Sequence, residues 1–74
     1  MNAQRRKDIA KAQGLIAEAQ AIIDQAASEE QDAYDNMPES LQSSERGEKT
    51  SEYADKLQEM ASTLDELANE DFSE

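Results

Sequence analysis

Residues 35–49 read DNMPESLQSSERGEK, and whether this stretch continues a helix or reverses one decides the fold. It holds Pro38, the single proline of the 74-residue chain, and Gly47, one of its two glycines. Proline has no amide hydrogen to give and clashes with the turn before it, so it suits the first turn of a helix and not the interior. Asn36, with Glu39 three positions later, has the spacing of a capping box. A helix is therefore expected to end around Asp35–Met37 and a short helical turn to restart at Pro38, with Leu41 facing inward against Met37 or Tyr34. Ser43 or Ser44 offers a second cap, and Gly47 a place to break, bend or pack closely. The stretch turns the chain back on itself.

On either side of it lie two helical patterns. Ile9, Ala12, Leu15, Ile16, Ala19, Ile22, Ile23 and Ala26 recur at the three-four spacing that lines one helix face, and Ala33, Tyr34 and Met37 resume it after Glu29 and Glu30. Asn2 is placed to cap this first helix, and Gly14 lies off the stripe, either as a tolerated surface glycine or as the site of a close helix–helix contact. Downstream, Tyr53, Ala54, Leu57, Met60, Ala61, Leu64, Leu67 and Ala68 make a second stripe. The expected architecture is an all-α antiparallel helical hairpin forming a single domain over residues 1–74. Its first helix spans about 3–35, its corner 36–47 and its second helix about 48–72, with Ser73 and Glu74 frayed.

Such a chain has little to bury. Apolar residues are 36% of it, and Tyr34, Tyr53 and Phe72 are its aromatics. Scaffolds this small usually need a disulfide, a metal or a partner chain. With no cysteine and no histidine, disulfides and thiolate or imidazole sites are excluded, which leaves oligomerisation. The adjacent pairs Leu15–Ile16 and Ile22–Ile23 make the stripe wider than a two-helix seam requires. Leu15, Ile16, Ile22, Ile23, Leu57, Met60 and Leu64 are accordingly the candidate oligomer interface of a homodimer, a four-helix bundle or coiled coil. Arg5, Arg6, Lys7 and Lys11 near one end and Asp65, Glu66, Glu70, Asp71 and Glu74 near the other would lie side by side in a hairpin. They are expected to favour that register by about 0.2–1 kcal/mol per exposed pair.

The net charge of −11 narrows the function classes. Nucleic acid and anionic membrane would be repelled. With no long apolar run, the protein is expected to stay in the cytoplasm. No cofactor is expected. Glu29, Glu30, Asp32, Asp35 and Asn36 invite a calcium reading, but the glycine turn and twelfth-position glutamate of an EF-hand loop are missing. Ser43 and Ser44 have no neighbouring base to activate them, so no enzyme is expected. A dimer with helices about 45 Å long would carry about one net charge per 2 Å, against about one per 1.7 Å for duplex DNA. Competition with DNA for a basic cleft is thus an alternative function.

The corner also resembles a group of very small acidic proteins encoded by bacteriophages and prophages. Their pattern Asn-apolar-Pro-Glu-Ser/Gly-Leu-Gln followed by Ser-Glu-Arg-Gly-Glu is matched here by Asn36, Pro38, Glu39, Leu41, Gln42, Ser44, Glu45, Arg46, Gly47 and Glu48. Members of that group generally have no assigned function, so the resemblance implies origin and architecture. A phage origin would imply a non-enzymatic protein that binds and modulates or inhibits a host or defence protein. The exposed polar set Glu39, Gln42, Ser44, Glu45 and Arg46 is the candidate recognition tip. A self-assembling structural or scaffold coiled coil, whose partner is itself alone, is the third reading.

Overall fold

The computed structural model describes residues 1–72, and the fraying expected of Ser73 and Glu74 lies outside them. Helix α1 runs over Ala3–Asp35, a single-turn helix α2 over Glu39–Gln42, and α3 over Glu45–Ala68. The two long helices pack along their length as an antiparallel hairpin measuring 58 × 14 × 13 Å between Cα extremes. No strand occurs among the described residues.

Each boundary has a local cause. The Asn2 side chain accepts from the Arg5 amide at 2.8 Å, satisfying one of the orphan donors of a helix start. At the far end of α1, the Asn36 amide still donates to Asp32 O at 3.0 Å and that of Met37 to Tyr34 O at 3.1 Å. Pro38, with nothing to donate, stops the ladder. Asn36 thus closes α1 and does not cap α2, whose start has no side-chain cap. The capping box expected from Asn36 and Glu39 does not form, because Asn36 retains helical angles.

The helical turn does not run on through Gly47 either. Ser44 goes extended, and its hydroxyl donates to Leu41 O while accepting from the Gly47 amide at 3.2 Å. That cap starts α3 at Glu45, three residues before the expected 48. The helix stops at Ala68 and not near 72, because the Asn69 side-chain amide folds back onto Asp65 O at 2.8 Å. Leu41, expected to face inward, is 48% exposed. The single turn of α2 meets α3 through its backbone carbonyls and not through that side chain.

Gly47 explains why. A Cβ there would overlap the carbonyl oxygen of Leu41 and come within 2.5 Å of that of Gln42. Its φ is not positive, so this glycine provides space and not an unusual backbone angle. Gly14 has nothing within 4 Å of the same position.

The seam follows one rule. In α1 the residues turned toward the partner helix are Ile9, Gln13, Ile16, Gln20, Ile23, Ala27, Glu30 and Tyr34, continued by Met37. In α3 they are Gly47, Thr50, Ala54, Leu57, Ala61, Leu64 and Ala68. Both sets step by alternating threes and fours, the heptad of a left-handed helix pair. Every seventh residue of α3 is small, and the fully buried residues of the described chain are Ala27, Gly47, Ala54 and Ala61. Among the described residues no large side chain is fully buried.

Candidate functional site

Helix α1 passes unbroken through residues 29–35, so Glu29, Glu30, Asp32 and Asp35 are fanned around it instead of converging. Glu29 and Asp35 each accept from the glutamine four residues earlier, Gln25 and Gln31, at 3.0 Å. Among the described residues no three acidic, histidine or cysteine side chains gather as a metal site.

The five tip residues separate into two kinds. Gln42 is half-buried, and its amide donates to Tyr34 O at 3.1 Å, tying the corner to the carbonyl end of α1. Ser44 is the cap of α3. Both side chains are engaged in holding the turn together. Glu39, Glu45 and Arg46 are exposed. Arg46 lines a shallow groove with Glu30, Glu45, Lys49, Thr50 and Tyr53.

The candidate interface residues also divide. Ile16, Ile23, Leu57 and Leu64 are half-buried in the seam within one chain. Leu15, Ile22 and Met60 are outside it, at 57%, 70% and 50% exposure. They do not stand alone. In α1, Ala12, Leu15, Ala19, Ile22 and Ala26 form a second three-four stripe beside the seam; in α3, Tyr53, Met60 and Leu67 recur every seventh residue. Both stripes flank the same side of the hairpin, where Ala12 and Leu67 line one apolar hollow with Ile9, Ile16 and Phe72. The opposite side is polar, its groove lined by Asp24, Ser28, Gln31, Asp32 and Gln58 around Ala27.

The back of α3, away from the seam, is acidic. Glu45, Glu48, Glu52, Asp55, Glu59 and Glu66 are all exposed and keep the three-four rhythm, with Ser62 filling the one gap. They form a ridge of carboxylates about 30 Å long. On its edge Lys56 Nζ approaches Glu52 Oε1 at 3.1 Å and lies 5.8 Å from the centre of the Tyr53 ring. The hydrogen bond to Glu52 and its negative charge raise the Lys56 pKa above the ordinary lysine value. Sequence reading marks Glu52, Glu59 and Glu66, seven residues apart, as acidic helix positions, and the structure adds Glu45, Glu48 and Asp55 to the same outward face.

Two polar clamps inside the seam were missed by sequence reading. Gln13 Nε2 donates to Glu70 O at 2.9 Å and to Leu67 O at 3.3 Å, one carbonyl in the last turn of α3, where intrahelical donors run out, and one just past it. Gln20 Nε2 reaches Asp65 Oδ1 at 3.3 Å. No helix among the described residues is long and apolar enough to cross a membrane. No protein-family model, no curated protein and no solved structure matches the chain.

Proposed function

We propose that the protein is a non-enzymatic acidic binding protein of the small phage type, which docks on a basic surface of another protein, a host or defence factor, and modulates or inhibits it. The observation that supports this reading is the carboxylate ridge along the back of α3. Its six acids are exposed and keep a three-four spacing on one rigid element, broken once at Ser62, an arrangement that steers and orients a basic partner.

A DNA mimic is the second reading, favoured by shape. Two chains would carry twice the charge of −11 along 58 Å, roughly one net charge per 2.6 Å, against about 1.7 Å for duplex DNA. Along the ridge itself the carboxylates recur about every 5 Å of helix axis, coarser than the roughly 3.4 Å between phosphates of one strand. That mismatch puts the general basic-surface reading first.

The test is capture from bacterial lysate on the immobilised chain and on a Glu52→Gln/Glu59→Gln/Glu66→Gln variant, each washed at low and then high salt. A stoichiometric protein held by the native chain and lost by the variant is expected. Capture unaffected by the variant, or no captured protein at all, would overturn the ridge as the recognition surface. A set of DNA-binding proteins displaced by added duplex would select the mimic.

A further inference from the structure

Among the described residues nothing covers the apolar side of the hairpin, and three observations bear on what does. The first is area. A compact chain of 8.2 kDa exposes about 4,500 Å², while this one exposes 5555 Å². The excess of roughly 1,000 Å² is the size of one partner's share of a standard interface, about 800 Å².

The second is charge. Of the seven basic residues, Arg5, Arg46, Lys49 and Lys56 fall on the two stripes that edge this side, while among the carboxylates of the long helices only Asp8 and Glu29 do, joined by Glu70 just past the end of α3. The strongly acidic protein is therefore close to neutral on this one side. A second copy can approach it without meeting the repulsion that the ridge would impose.

The third is symmetry. Met60 is the midpoint of Tyr53 and Leu67, seven residues from each, and Ile22 lies at the level of Met60 by the register that the Gln13 and Gln20 clamps fix. Lys49 precedes Met60 by eleven residues within α3, and Glu70, just past the end of α3, follows it by ten, roughly 15 Å either way at a helical rise. A twofold axis through the Ile22–Met60 level, perpendicular to the helices, sets Tyr53 opposite the partner's Leu67 and Lys49 opposite the partner's Glu70. Such a self-complementary patch is what an isologous dimer uses.

We propose that this side docks a second copy of the chain, antiparallel, tip against open end, closing a four-helix bundle about the Ile22–Met60 level and leaving both carboxylate ridges outward. The assignment does not depend on the ridge's target, because it is read on the purified chain alone.

Sedimentation equilibrium over a range of concentrations tests it, with helix content followed by circular dichroism. The native chain should sediment at twice the 8.2 kDa of one protomer. Ile22→Lys, at a position 70% exposed in the single hairpin, should yield helical monomers. Lys49→Glu and Glu70→Lys should each weaken dimerisation roughly tenfold, and the double variant should recover most of that loss. Lys49 and Glu70 are too far apart along the hairpin to compensate within one chain, and both are exposed, Lys49 beyond the first turn of α3 and Glu70 past its end, so helix content should hold. A monomer at every concentration would overturn the proposal and hand this side to another protein. A dimer indifferent to Ile22→Lys would place the interface elsewhere. A double variant no better than the singles would overturn the antiparallel arrangement.

Discussion

Gly14 and Gly47 are one residue type in the same kind of helix, yet a single methyl group should act on them in opposite directions. At Gly14 a Cβ meets nothing, so Gly14→Ala removes only the backbone freedom that disfavours glycine in a helix and should stabilise by about 0.5–1 kcal/mol. That corresponds to a rise in Tm of several degrees for a domain of this size, measurable by thermal denaturation. At Gly47 the methyl would run into the main chain of Leu41 and Gln42. Gly47→Ala should destabilise by about 1–3 kcal/mol and loosen the corner, seen as faster amide exchange at Ser43 and Ser44. The sequence made Asn2 legible, because its role depends on neighbours a few positions away. It left Gln13 unread, since its two acceptors are main-chain carbonyls 54 and 57 residues downstream and no side-chain pattern marks a carbonyl.

At the scale of the elements, small side chains make the seam. Ala54 is completely buried and Ala61 is 5% exposed, so the helices approach closely and there is no room for a larger residue. Ala61→Leu should force the pair apart and cost about 1–3 kcal/mol, despite adding apolar surface, and chemical denaturation would measure it. The cap that starts α3 is the other point of sensitivity: Ser44→Ala should cost about 1 kcal/mol. The positions of the helices were legible from their apolar spacing, and the split of the apolar residues into two stripes was not. Leu15 and Ile16 are neighbours in sequence and equally apolar, and only the identity of the residues facing them shows that Ile16 closes the hairpin while Leu15 looks outward. Nor did the corner announce its break. Ser44 and Gly47 were both plausible places for it, and the choice follows from the carbonyls of α2 needing the space over Gly47.

For the whole molecule, charge and thinness work together. The chain carries −11 and no large side chain among the described residues is fully buried, so self-repulsion is opposed by a modest core. Salt should therefore stabilise it. Raising ionic strength from about 10 mM to about 1 M shortens the screening length from about 30 Å to about 3 Å, and Tm should climb by several degrees over that range, with sodium chloride in place of a stabilising sulfate to isolate screening. A flat or falling Tm would mean that attractive pairs, screened alongside, outweigh the repulsion. The overall charge was fully legible from composition. Its distribution was not, because the near-neutral side and the acidic ridge are both products of a helical register that becomes definite only when the seam is known.

The clamps made by Gln13 and Gln42 end on main-chain carbonyls, of Leu67, Glu70 and Tyr34, and every amino acid possesses one. The part of the alignment that these two clamps set is thus insensitive to which side chains occupy the receiving positions, and only the Gln20 clamp asks for a particular one, Asp65. Substitutions can accumulate along the outward ridge, even to the point of inverting its charge, with the hairpin's geometry kept. The same frame could then be retargeted by rewriting its exterior alone, and two such proteins could share a backbone while having almost no surface residue in common.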